Sequence, residues 1–96
     1  MKLTIFTPID TFYEGEVSGL NIETRLGQRT ILENHVDFLG FIEYSKIVIL
    51  ESEGGKEAYL DAGFVHVYHN EIKIFCEMAS VTPMKEGVSS GVIRMD

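Results

Sequence analysis

At 96 residues the chain has room for one domain with one modest core, because a chain of this size buries only about 60–65% of its extended surface on folding. Its longest apolar runs, such as Ile47 to Leu50, fall far short of the roughly 20 residues that a membrane-spanning helix requires, which argues against direct membrane insertion. Fifteen acidic against eight basic residues leave a formal charge of −7, which repels phosphate backbones, excludes nucleic acid as a partner and favours a basic protein surface instead.

The N-terminus, MKLTIFTPID, carries neither a continuous apolar signal core nor a small-residue cleavage site, and reads as that of an unprocessed cytosolic protein. Leu3, Ile5 and Thr7 alternate with Lys2, Thr4 and Phe6, which predicts a first strand that Pro8 ends by removing a backbone donor and restricting Thr7. Tyr13 to Thr24 reads as one extended run with Gly15 and Gly19 as bulge or bend positions, and its interleaved polar residues suit strands with one wet face. KIVILES is a more apolar strand, and Glu53-Gly54-Gly55-Lys56 is a turn that hands the chain to KEAYLDAG.

Ala62 and Gly63 are small residues inside a strand-like stretch, as expected of a bend, a bulge or a close backbone approach. Beyond them a β-hairpin is predicted. Phe64, His66 and Tyr68 share one face opposite Val65 and Val67; Ile72, Ile74, Cys76 and Met78 share a face opposite Lys73, Phe75 and Glu77. His69 and Asn70 form the turn, since Asn tolerates the positive φ that a tight hairpin demands. Cys76 is the only cysteine, so it forms no intrachain disulfide and reads as a small buried hydrophobe. Turns every 8 to 12 residues, with no long helical periodicity, indicate an all-β sandwich or barrel. Pro83, Gly87 and Gly91 interrupt the stretch from Ser80 to Asp96, which reads as a loose tail.

The segment from Leu26 to Ile42 does not alternate cleanly, yet it holds Ile31, Leu32, Val36, Phe38, Leu39 and Phe41. Such a segment either closes one end of the strand body or offers a docking surface, and both hold if Ile31, Leu32 and Leu39 point inward while the loop tip faces out.

The order KLTIFTP, YEGEVSGLNI, ILENHVDFL, KIVIL, EGG and YLDAGFVHVYHNEIKIFCEMA resembles the N-terminal β-sandwich domain of the ATP synthase epsilon subunit over roughly residues 2 to 79. Within Ile31 to Leu39 the resemblance is carried by His35 and Leu39; within Tyr59 to Ala79, by Gly63, Phe64 and Val67. It implies a single antiparallel sandwich of two sheets and about ten short strands over residues 1–80, followed by a short tail at 81–96. It further implies a non-catalytic rotor subunit without a cofactor, peripheral on the cytoplasmic face of the cell membrane as part of the F1 sector. Such a subunit binds the gamma subunit and the c-subunit ring and couples ion translocation to ATP synthesis or hydrolysis. Gln28, Arg29, Glu33, Asn34 and His35 fall at the implied ring-facing end, and Phe38 and Phe41 are candidates for either the core or the implied gamma contact.

The chain departs from the family pattern in three places. Gln28 replaces an acidic residue common before the loop; Glu33, Asn34 and Asp37 stand where the family has Pro-Gly before the histidine and often Pro after it; and the C-terminal helical hairpin, with its regulation, has no counterpart.

Chemistry in the chain itself is weakly signalled. His66 and His69 are three apart and so on opposite faces of a strand unless His69 has entered the turn, His35 reads as a hydrogen-bonded structural residue, and Glu14 with Glu16 reads as a solvated strand face. No nucleophile with a plausible base is visible, and the Gly-rich pieces lack the Lys, Ser or Thr of a phosphate loop. An alternative from another class is a small cupin-type metal- or ligand-binding barrel using His35, His66 or His69; a third is an adaptor that pairs an exposed strand edge with a partner.

Overall fold

The computed structural model describes residues 1–24, 26–52 and 54–83. The described residues form seven strands: β1 (Lys2–Phe6), β2 (Thr11–Glu16), β3 (Gly19–Thr24), β4 (Gly27–Leu32), β5 (Phe38–Glu51), β6 (Gly54–Tyr68) and β7 (Glu71–Ser80). They lie in the order β2-β1-β7-β6-β5-β3-β4, antiparallel except for the parallel pair β1–β7.

That order cannot be flat. Strands β2 and β3 stand five positions apart in the sheet, roughly 24 Å at ~4.8 Å per strand, yet only Val17 and Ser18 join them, a reach of about 11 Å at most. The sheet therefore folds over on itself into a two-layer β-sandwich. At the crossing, the Val17 amide donates to Met1 O and the Ser18 amide to Leu50 O, both at 2.8 Å, tying the joint to both layers.

The fold-over is written in the alternation of the long strands. Along β5 the buried positions are Gly40 and Ile42, then Ser45, Ile47 and Ile49, so the inward set changes from even to odd numbers. Along β6 it changes from Ala58 and Leu60 to Val65 and Val67, and along β7 Ile72, Ile74 and Cys76 are buried whereas Met78 is exposed. The pairing registers run unbroken on both sides of this level and skip Glu43, Ala62 and Glu77. Ala62 holds a left-handed φ of 58°. One residue per strand thus drops out of alternation at a common level, which lets each strand turn the corner and keep its apolar face toward the interior.

The strand count follows from this. The sequence predicts about ten short strands; the structure has seven among the described residues, because three of them run through the corner and serve both layers. The first layer holds β2, β1, the Glu71–Cys76 part of β7, the Gly63–Tyr68 part of β6 and the Phe38–Ile42 part of β5; the remainder, with β3 and β4, makes the second. Between them lies one core, in which the rows Leu3–Ile72–Val67 and Ile5–Ile74–Val65 face Leu20, Ile22, Ile31, Ile47, Ile49 and Leu60.

Other expectations resolve residue by residue. The hairpin turn is as predicted, with His69 and Asn70 at φ 50° and 66°, the two positive angles of a type I′ geometry. Cys76 is buried, and that burial, with Glu77 and Asp61 nearby, pushes its thiol up to about 11. The run from Tyr13 to Thr24 is not continuous but breaks at Val17–Ser18, where the chain changes layers. Gly19 marks a close approach instead of a bulge, since a Cβ there would meet Leu32 Cδ2 at 2.8 Å and Ile31 O at 2.9 Å. Met78 leaves the apolar face because the corner intervenes. Leu32 and Leu39 are 51% and 57% exposed, so only Ile31 of the three expected inward residues enters the core. Of the predicted tail, residues 84–96 lie outside the described residues.

The edge strand β2 is fastened to the second layer by Tyr13, whose hydroxyl donates to Glu51 Oε2 at 2.5 Å. Burial, then the bond and charge of Glu51, push the Tyr13 hydroxyl up to about 12. The neutral phenol is the form favoured by folding, so its stabilisation is complete below the ordinary tyrosine range near 10 and is lost as pH rises from there through about 12. Tyrosinate absorbance should therefore show one of the four tyrosines titrating about two units late, and Tyr13→Phe should remove that late step.

At the corner, a Cβ on Gly63 would sit 1.9 Å from Phe75 O and 2.7 Å from Cys76 Cα, both backbone atoms that cannot step aside. Gly63→Ala should cost about 3 kcal/mol or more, a fall in Tm of roughly 12 °C or beyond for a domain of this size. Ala62→Gly, which relieves the left-handed backbone next door, should leave Tm unchanged or raised. Thermal unfolding followed by circular dichroism checks both.

Candidate functional site

The two outer faces of the sandwich differ in kind. On the second layer the outward surface mixes polar pairs with apolar side chains: Thr30 bonds Asn21 across β4–β3 at 2.7 Å, Lys46 pairs with Glu57 at 3.2 Å and Tyr44 stacks on Tyr59, while Leu32 and Met78 stand exposed apart from them. On the first layer the outward row nearest the corner is made of phenylalanine alone. Phe41 on β5 pairs in register with Phe64 on β6, Phe64 with Phe75 on β7, and Phe75 with Phe6 on β1. The rings stack, Phe64 on Phe75 with centroids 5.1 Å apart and Phe75 on Phe6 at 4.9 Å.

This strip crosses four strands, roughly 14 Å, and much of it is open to water: Phe41 is 55% exposed, Phe75 40% and Phe64 36%. Leu39 and Tyr68 widen it along their strands. Stacking accounts for the ring geometry but leaves one side of the row wet, and an exposed contiguous apolar patch on a small domain marks a docking face.

The second candidate lies at the tip, where the loop from Glu33 to Asp37 meets the β6–β7 turn. Asn70 Oδ1 accepts the Asn34 amide at 2.8 Å, Asn70 Nδ2 reaches Glu33 Oε2 at 3.5 Å, and Asp37 Oδ1 accepts the His69 amide at 3.0 Å. Asn34 adopts φ 65°, a left-handed turn residue like Asn70. His35 is held locally, its amide donating to Leu32 O and its Nδ1 lying 2.8 Å from Val36 O, with its ring tilted against Phe38. Arg29 reaches across from β4 to place its guanidinium 5.3 Å from the centre of the Phe38 ring.

The sequence-predicted residues therefore separate. Arg29 and His35 meet at Phe38, and Glu33 and Asn34 join the turn at Asn70, forming one continuous tip. Gln28 lies exposed further along β4, opposite Glu23. Phe38 sits in the inward row with Val67, half-buried against the core, whereas Phe41 faces out. The sequence reading did not single out Phe6, Phe64 and Phe75 as a surface. Phe64 and Phe75 were within reach, since the His69–Asn70 turn fixes their pairing; Phe6 and Phe41 join only through contacts distant in sequence. The histidines do not converge: His66 and His69 each stack with Tyr68, and His35 lies in the Glu33–Asp37 loop. Among the described residues no three His, Cys, Asp or Glu side chains come together as a metal could use them.

Comparison with known proteins adds the following. Residues 1–82 match the family described as ATP synthase, Delta/Epsilon chain, beta-sandwich domain. The chain is 32% identical over 78 residues to the ATP synthase epsilon chain of Clostridium acetobutylicum, covering 80% of this chain and 59% of that one. It is 34% identical over 79 residues to the epsilon chain of Clostridium novyi, covering 81% and 60%. The chain thus spans about three-fifths of the length of these relatives. Among solved structures, a chain from the central stalk/c-ring of the Tetrahymena thermophila mitochondrial ATP synthase is similar with a TM-score of 0.71 at 16% identity, covering 82% of this chain and 64% of that chain, a likeness of fold.

The Asn70 side chain is the main tie holding the tip loop. Asn70→Gly keeps the positive φ of the turn but deletes the bonds to Asn34 and Glu33. It should cost about 1 kcal/mol and speed hydrogen exchange at the Asn34 amide, read by NMR, while exchange in the β6–β7 core stays slow.

Proposed function

Since this chain belongs to the delta/epsilon-chain β-sandwich family of ATP synthase, we propose that it is a non-catalytic subunit of the central stalk, seated between the gamma subunit and the c-subunit ring. The observation that carries this reading is the strip of four phenylalanines that crosses one outer face of the sandwich, with Phe41, Phe75 and Phe64 each a third or more exposed. The phenylalanine face, with Phe41 as its most exposed ring, suits a shaft that stays bound through rotation. Phe38, half-buried against the core, anchors the tip through Arg29 and His35, and that tip of Arg29, Glu33, Asn34 and His35, with Gln28 at its margin, suits the polar loops of the ring.

Two properties of the fold support a mechanical role. The core is close-packed and continuous through the corner, so load on the tip passes to the shaft face with little compression. No helix of the described residues is long and apolar enough to cross a membrane, in keeping with a peripheral place in the F1 sector at the cytoplasmic face of the cell membrane. On this reading residues 1–80 are the assembling domain, the chain needs no cofactor, and the coupling of ion flow to ATP synthesis or hydrolysis runs through its contacts while the phosphate chemistry proceeds elsewhere.

Co-expression with gamma and the ring tests the proposal: the chain should co-purify with both at low and moderate salt, and a folded chain that ignores both would refute it. Burying the exposed part of Phe41 is worth about 1–2 kcal/mol. Phe41→Ser should accordingly reduce recovery with gamma roughly tenfold and shift Tm little. Phe38→Ala should do the reverse, lowering stability by about 2 kcal/mol, below the range for a fully buried ring, because Phe38 is only half-buried.

A further inference from the structure

Beside the phenylalanine strip, at the corner itself, the surface opens into a cleft. One chamber of about 340 Å³ lies between the end of β1 and the bend of β6–β7, walled by Phe6, Pro8, Phe64 and Phe75 over Ala62 and Gly63. A second, of about 300 Å³, continues past Ile9 and Phe12 to Met78 and Ala79, and the two share Thr7, Pro8 and Glu77. Ile9, 90% exposed, and Met78, 40% exposed, stand along the second chamber.

Three features make this more than a wrinkle. The walls are preformed: Phe75 stacks between Phe6 and Phe64, and the floor at Gly63 is packed so closely that no Cβ fits. A non-glycine residue, Ala62, is held in the left-handed region at that floor, which presents its methyl group where the strands bend. The charged side chains in the lining are Asp10 and Glu77, both acidic, and Lys, Arg and His are absent from it among the described residues.

We infer that this corner cleft, which borrows Phe6, Phe64 and Phe75 from the strip but not Phe41, is a further docking site, and that it takes an extended segment of a partner protein in which aliphatic side chains alternate with lysine or arginine. An extended strand sends successive side chains to opposite sides, so aliphatic groups at alternate positions enter the two apolar chambers while the cations between them meet Glu77 and Asp10 at the rim. Acidic residues at the rim and a net charge of −7 select a basic segment over an acidic one. The site goes beyond the stalk assignment and does not depend on it.

The test titrates the full-length, ¹⁵N-labelled chain with an acetylated, amidated hexapeptide of alternating leucine and lysine, followed by NMR, with a leucine–glutamate hexapeptide as comparison. The leucine–lysine probe should bind with Kd below about 1 mM, move the amide signals of Ile9–Asp10, Ala62–Phe64 and Cys76–Met78, and bind at least fivefold more tightly than its acidic counterpart. Glu77→Lys and Ile9→Ser, both at exposed positions, should each weaken it severalfold, while Phe41→Ser should not. Failure to bind, equal binding of the acidic peptide, or shifts centred on Leu39 and Phe41 would overturn the proposal. So would displacement of the probe by a free peptide of residues 84–96, which would assign the cleft to the chain's own terminus. Loss of co-purification with gamma and the ring bears on the stalk reading alone, so the two can fail separately.

Discussion

Everything in this domain depends on three strands turning one corner together. A strand alternates with a period of two, so slipping one residue moves every following side chain to the opposite face. Here the slip occurs on β5, β6 and β7 at one level, through Glu43, Ala62 and Glu77, and leaves their mutual register intact on either side. The left-handed Ala62 and the crowded Gly63 make it local. Without that slip, Ile47, Ile49 and Leu60 would face water whenever Val65, Val67 and Ile74 faced the core, and no two-layer body could close.

Closure also settles how a sheet with widely separated edges can be made from short connections. The two-residue joint at Val17–Ser18 spans between layers instead of across the sheet, and hydrogen bonds to Met1 and Leu50 hold it. The Tyr13–Glu51 bond supplies a further fastening at the same side. The result is a single core shared by both layers.

The same corner organises the surface. It ends the regular alternation just beyond the phenylalanine row, so the row lies along the bend and the cleft opens immediately beside it. The aromatic strip and the acidic-rimmed cleft then adjoin and share Phe6, Phe64 and Phe75, the strip lying on the first layer and the cleft running across the corner to Met78 and Ala79.

The sequence by itself determined what is local. Pro8 ends β1, His69 and Asn70 make the hairpin, Cys76 is buried, Ala62–Gly63 is a special place in the chain, and the family is legible from the order of these short motifs. Each follows from backbone sterics or strict alternation within a few residues. Tertiary structure decided which side of each alternation faces inward and which distant strands become neighbours. Leu32 and Leu39 carry the same apolar signal as Ile31, and only the layer packed against β4 and β5 determines that Ile31 alone is covered. Met78 belongs with Cys76 by period, yet the bend between them sends it outward. The parallel pairing of β1 with β7, which brings Phe6 beside Phe75, joins residues about 70 apart in the chain, and hydrophobic pattern is blind to separation on that scale.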